Sequence, residues 1–260
     1  MRSSGKRIFR GTAGRAGART VMSSPSRPGT GCGGSGVPAM QAATRSGGST
    51  PVAQPPGLVY RDGTSEDGSM SVAHYPEFRP GKVLATSFTA TLTERCGERL
   101  ERIPVPSRLV DWLEGNGLTV DSCTESQLDR ARELRESIHA AATAAANQDP
   151  LPPAAVRVIN DCSTRGAASP ILDSSGGQLW QLRSAHVEDA LSVIAADAVS
   201  IISGEREGRM ALCASPTCRA AFFDTSRSRT RRWCDMNTCG NREKKARFLA
   251  NKRHTSNPAG

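Results

Sequence analysis

Residues 213–253 read CASPTCRAAFFDTSRSRTRRWCDMNTCGNREKKARFLANKR and hold four of the eight cysteines of this 260-residue chain. The four are spaced C-x4-C-x15-C-x4-C. Two close pairs joined by a longer span allow two tight turns to meet around one metal ion. Cys213, Cys218, Cys234 and Cys239 are therefore the expected ligands of a single zinc. Thiolate is a soft anionic donor, and four of them fill the tetrahedron. A closed set leaves no position for water, so the expected site is structural rather than hydrolytic. An iron–sulfur cluster also takes four thiolates, but the symmetric spacing and basic neighbours favour zinc.

A module of this size has little core, so the metal supplies folding free energy of order 10 kcal/mol or more. Phe222, Phe223 and Trp233 are its bulky residues. They are expected to form a mini-core around the metal, with base stacking as the other reading. Cations crowd the same stretch. Arg219, Arg227, Arg229, Arg231 and Arg232 lie in the first knuckle and the linking loop. Arg242, Lys244, Lys245, Arg247, Lys252 and Arg253 follow the last cysteine. Residues 241–253 read as a helix opened by Asn241 and basic over a broad arc, with Phe248 and Leu249 expected to touch back on the module. A basic helix beside a zinc knuckle can enter a major groove or lie along phosphates. The alternative is a solvated basic tail.

Charge divides the rest of the chain. Net charge is +6 over residues 1–70, −5 over 71–210 and +8 over 211–260. Basic ends favour polyanionic partners such as nucleic acid. Hydrophobic residues make up 37% and aromatics 4%, too few for the whole chain to pack. Residues 1–70, rich in Gly, Ser and Pro, are expected to be a disordered basic tail. That tail is a DNA-brushing arm, a spacer, or sequence upstream of a later start at Met70. There is no apolar run long enough to span a membrane and no secretory pattern. A cytoplasmic location follows as the expectation, with Cys96, Cys123 and Cys162 as reduced thiols.

Residues 71–205 read as a mainly helical domain with one small β-hairpin. Residues 82–92 are a helix or a strand, and TERCGERLERI is a connection. Ser107 is a candidate cap for a helix through Leu109, Val110, Trp112 and Leu113, stopped at Gly115 or Gly117. Thr124 and Gln127 form a capping box for a long helix with Leu128, Ala131, Leu134, Ile138, Ala141 and Ala142 on one face. A shorter helix follows Pro152 and Pro153, and Ser-Ser-Gly-Gly at 174–177 marks the hairpin. Ser184 would cap a last helix that ends at Gly204. His139 and His186 read as ordinary helix residues. No paired carboxylates, nucleophile elbow, phosphate loop or ligand-spaced His cluster suggests an enzyme.

The C-terminal stretch resembles the CGNR zinc finger, named for the Cys-Gly-Asn-Arg found here at Cys239–Arg242. Phe223, Asp224, Ser226, Arg232, Trp233, Cys234, Met236 and Lys245 carry the likeness further. In that family the finger usually follows a helical domain called ABATE, a candidate stress-induced transcription regulator. Residues 80–205 resemble it through LVDWLEGNGL and ARELRESIHA. One departure is at Ser87-Phe88-Thr89-Ala90-Thr91, where such domains often carry an Asp-Phe-x-Asn-Thr-like stretch.

The expected organisation is a tail (1–70), an ABATE-like helical domain (71–205), a treble-clef or knuckle-like CGNR finger with a basic C-terminal helix (206–254) and a short tail (255–260). The expected function is a zinc-dependent DNA-binding transcriptional regulator. Its phosphate contacts would come from Arg227, Arg229, Arg231, Arg232, Arg242, Lys244, Lys245 and Arg247. The helical domain would sense a signal, bind a protein partner or dimerise. The alternative is an adaptor whose finger binds protein or RNA.

Overall fold

The computed structural model describes residues 75–79 and 81–255. The tail expected over 1–70 lies outside them, as do residues 256–260.

The described chain is mainly helical. Its longest element is α3, Glu125–Asn147. Thr124 and Gln127 cap it reciprocally: Gln127 N donates to Thr124 Oγ1 at 3.3 Å, and Thr124 N donates to Gln127 Oε1 at 2.9 Å. Leu128, Ala131, Leu134, Ile138, Ala141 and Ala142 are buried along one face, as the 3.6-residue period requires. Arg135 is buried with them. α4 (Pro153–Arg165) and α5 (Val187–Ile202) pack against α3 and against each other. α5 buries residues on nearly every side and forms the centre of the bundle. α1 (Leu84–Thr89) crosses α3 and α5, and its Phe88 ring packs 5.1 Å from Trp112 of α2, Pro106–Glu114.

Two expected caps are not used. α2 starts on Pro106, with Val105 preceding it and no side-chain cap from Ser107. Proline's fixed φ suits the first helical position, which moves the start ahead of the serine. α5 starts at Val187 rather than after Ser184. Ala185 has φ 50, which breaks the chain direction between the serine and the helix. Asp189 serves this junction instead, accepting Ser184 N at 2.8 Å and Ala167 N at 2.7 Å.

Among the described residues, three two-stranded antiparallel hairpins accompany the helices. β1 (Leu92–Thr93) and β2 (Leu100–Glu101) lie inside the stretch expected to be a plain connection. Two-residue strands are too short for an alternating pattern to show. Cys96 lies between them, and Cys123 and Cys162 are free thiols. β3 (Ala168–Leu172) and β4 (Gln178–Leu182) are the expected hairpin. Asp173 Oδ1 accepts Ser175 N at 2.8 Å and Gly177 N at 2.7 Å, and Gly176 takes the φ of +84° that closes the turn.

β5 (Arg209–Leu212) and β6 (Ala221–Asp224) pair from Arg209↔Asp224 to Leu212↔Ala221 and lie against α3. Met210, Ala221 and Phe223 join the same buried cluster as the helices. Cys213, Cys218, Ala220 and Cys239 form a second, small cluster, with Trp233 and Cys234 packed on it.

Candidate metal centre

The turn between β5 and β6 is a knuckle. Cys213 sits just past β5 and donates its N–H to Ala220 O at 2.9 Å. Arg219 turns the chain with φ 48 straight after Cys218. Cys234 precedes, and Cys239 lies within, a π-helical turn, Met236–Gly240, which leads into α6, Asn241–Thr255. Asp235 caps this turn, accepting Asn237 N at 2.9 Å and Thr238 Oγ1 at 3.0 Å. Asn241 is the first residue of α6, the helix it is expected to open, and Asp235 caps the turn that leads into it. Ala214 N donates to Arg232 O at 2.8 Å and ties the two halves together.

The four sulfurs lie within 4.8 Å of one another. Cys218 to Cys234 and Cys234 to Cys239 are both 3.7 Å. A tetrahedron with Zn–S bonds of about 2.3 Å has edges of about 3.8 Å, so the donor set fits zinc. Cys213, Cys218 and Cys239 are fully buried and Cys234 half-buried. The sulfurs cannot share this space as four free thiolates. Hydrogen bonding from Cys218 and then Cys234 holds Cys213 near the bottom of the scale, at about 2. In answer, Cys213 pushes Cys218 up to about 12, and Cys213 with Cys218 pushes Cys234 up as well. A divalent cation removes that conflict by neutralising the charge at its source. The four cysteines hold one structural zinc.

Around the sulfurs runs a polar shell invisible from spacing. Arg242 Nη2 donates to Ser215 Oγ at 2.9 Å and approaches Cys239 Sγ at 3.6 Å, while its Nη1 pairs with Glu94 Oε2 at 2.9 Å. Glu94 Oε2 also accepts Thr217 Oγ1 at 2.6 Å. Burial raises the Glu94 carboxyl, but the Thr217 and Arg242 bonds outweigh it and hold it below its ordinary value. Ser215 Oγ donates to Glu243 Oε1 at 3.2 Å. The backbone joins in: Arg95 N and Cys96 N donate to Cys218 O and Thr217 O at 3.3 and 3.0 Å. His139 of α3 lies 3.3 Å from Arg219 O. The knuckle is thereby bonded to the β1–β2 segment and to α3.

The other expected residues fall into two groups. Arg231 donates to Trp233 O at 2.8 Å and to Cys234 O, and stands 5.1 Å over the Phe222 ring. Arg229 pairs with Glu207 at 3.3 Å. With Arg242 these cations have partners inside the protein. Arg227, Lys244, Lys245 and Arg247 are exposed, and so is Arg232, whose guanidinium stacks 5.2 Å from Trp233. The bulky trio divides: Phe223 enters the helical core, Trp233 covers the metal cluster, and Phe222 is buried between. Phe248 and Leu249 do not reach back to the module. They are 67% and 43% exposed, because α6 packs chiefly on the turn that starts it and then runs outward.

Helical bundle, knuckle and basic helix define a zinc-finger protein with an appended helical domain. A family model described as "Putative stress-induced transcription regulator", ABATE, matches residues 82–205, and one described as CGNR zinc finger matches residues 209–252. The chain carries an ABATE domain followed by a CGNR zinc finger. No curated protein matches it. No helix among the described residues is long and apolar enough to cross a membrane.

Proposed function

We propose that this chain is a cytoplasmic, zinc-dependent DNA-binding transcriptional regulator, with the finger on DNA and the helical domain sensing a signal or binding a partner. The observation behind this reading is that zinc fixes the start of α6 beside the 225–233 loop. Both elements point exposed cations outward: Arg227 and Arg232 on the loop, Lys244, Lys245 and Arg247 on the helix. These five are the proposed phosphate contacts. Arg229 would be shared with Glu207, while Arg231 and Arg242 shape the surface from within. Neither matching family is described as an enzyme.

Titrating labelled duplex DNA at two salt concentrations tests this. Five phosphate contacts give a log–log salt slope of roughly −4 to −5, and removing zinc should abolish binding. Binding that survives chelation, or none at low salt, rules the reading out.

Phe248 favours a second reading, an adaptor for protein or RNA. A large apolar ring 67% exposed among cations suits a partner with its own apolar or stacking surface. Preference for single-stranded RNA over duplex in competition would select it. A protein partner or second copy on the helical domain would find exposed Ile171, Leu172 and Leu179 on the β3–β4 hairpin.

A further inference from the structure

A cavity of about 390 Å³ opens between the α1 region of the ABATE domain and β6 of the finger. Its size falls in the range of small-molecule sites. Phe222 and Phe223 form its finger-side wall, and small side chains of the α1 region face them. Four cations line it: Arg79, Lys82, Arg206 and Arg231. The opposing charge is Asp235, whose oxygens already accept Asn237 N and Thr238 Oγ1. Arg206 is bonded to Asp197 and stands 5.8 Å over Phe223, and Arg231 is held on the Trp233 and Cys234 carbonyls. Arg79 and Lys82 form no close ion pair among the described residues; the Arg79 charge is felt by the Glu94 carboxylate, itself paired with Arg242, and Lys82 adds a second cation that a ligand can meet.

We propose that this cavity binds a small aromatic anion. A flat ring would displace water from the phenylalanine wall, and the carboxylate or similar group would face Arg79 and Lys82. Excess positive charge inside a partly enclosed, half-apolar space attracts an anion more strongly than the same charges on open surface. An inorganic anion would leave the aromatic wall wet, and a neutral aromatic would leave the cations unused. The wall includes Cys234, so a ligand here touches both the sensing domain and the zinc loop. The inference gives a ligand class to the sensing half of the function proposed above and rests on it for its regulatory meaning.

The test is calorimetric titration of the full-length, zinc-loaded chain with 1-naphthoate, 1-naphthalenemethanol and inorganic phosphate. Naphthoate should saturate one site and bind roughly ten-fold or more tighter than either comparator. Arg79→Gln with Lys82→Gln should weaken naphthoate about ten-fold or more while zinc content stays at one per chain; Arg157→Gln, an exposed cation on α4 outside the cavity, should leave it unchanged. In the wild type, added salt should weaken naphthoate and not the alcohol. Absence of saturable binding, equal binding of the alcohol or of phosphate, or an unaffected double variant overturns the proposal. Duplex DNA is absent from these titrations, so their failure is separate from failure of DNA binding.

Discussion

Arg242 connects the metal centre to the helical domain through one side chain. Its guanidinium reaches Glu94, Ser215 and the Cys239 sulfur, so its removal leaves the Glu94 carboxylate largely buried without its cation. Arg242→Ala should destabilise the chain by about 1–2 kcal/mol, seen as a lower Tm and faster zinc loss to a chelator. The salt slope of DNA binding should stay the same, because this arginine already has partners in the protein. A lower salt slope with unchanged Tm would instead place it on phosphate. Nothing in a single sequence joins Glu94 to Arg242; the Cys-Gly-Asn-Arg motif marks the arginine, and only the fold supplies its partner. His139 is a second residue whose role depends on the fold. Burial first, and then the Arg95 charge, depress its pKa from 6.5 to about 4. The folded state thus prefers neutral imidazole. The stability this brings is fully present above pH 6.5 and is lost as pH falls toward 4. His139→Gln should remove that component, so wild type should lose about 2–3 kcal/mol more than the variant over this window. Denaturant titrations at pH 7 and pH 4.5 check it, and superimposable pH curves for the two proteins would refute it.

Elements were legible in the sequence where their signals are local. α3 has a capping box, a 3.6-residue apolar face and enough length to show both. Thr124→Ala should cost about 1 kcal/mol, read as a Tm decrease of roughly 2–4 °C, with zinc content unchanged. A loss of zinc from that variant would mean α3 depends on its cap far more than one helix end should. The β3–β4 hairpin was legible for the same reason: Gly176 and Asp173 write the turn into the chain. β1–β2 and β5–β6 were not. The first is two residues per strand, and the second reads as metal-module sequence because its cysteines dominate the pattern. Arg135 shows the limit of periodicity. It falls on the buried side of α3 and is accommodated there only because Glu101, at 2.7 and 2.8 Å, and Glu136, at 2.9 Å, meet its guanidinium. Residues brought from elsewhere in the chain decide whether a buried charge is tolerable, and spacing along one helix cannot show them.

At the scale of the molecule, what zinc holds together differs from what an isolated finger would need. The four cysteines and the basic helix were readable from spacing and charge alone. The sharing of a core was not, because Phe223 looks like a module residue until β6 is seen against α3. Phe223 is 6% exposed within the bundle's own cluster. Phe223→Ala should therefore lower the Tm of the whole chain, at a cost of about 3–5 kcal/mol, rather than loosen the finger alone. The converse holds for the metal. β5 and β6 should keep their ladder and their packing on α3 when zinc leaves, whereas the 225–233 loop and the start of α6, which carry Cys234 and Cys239 at their junction, should loosen. Cys234→Ser, or a chelator, should abolish the one-zinc stoichiometry and speed amide exchange across residues 225–252. The amides of α3, α5 and β6 should stay protected. A chain that lost protection everywhere on zinc removal would show that the metal organises the helical domain too. Retained protection in α6 would show that the basic helix forms without it. The expected pattern between these extremes makes the presented cations zinc-dependent on a scaffold that is not, and it predicts that apo protein loses DNA affinity while keeping most of its helical circular dichroism.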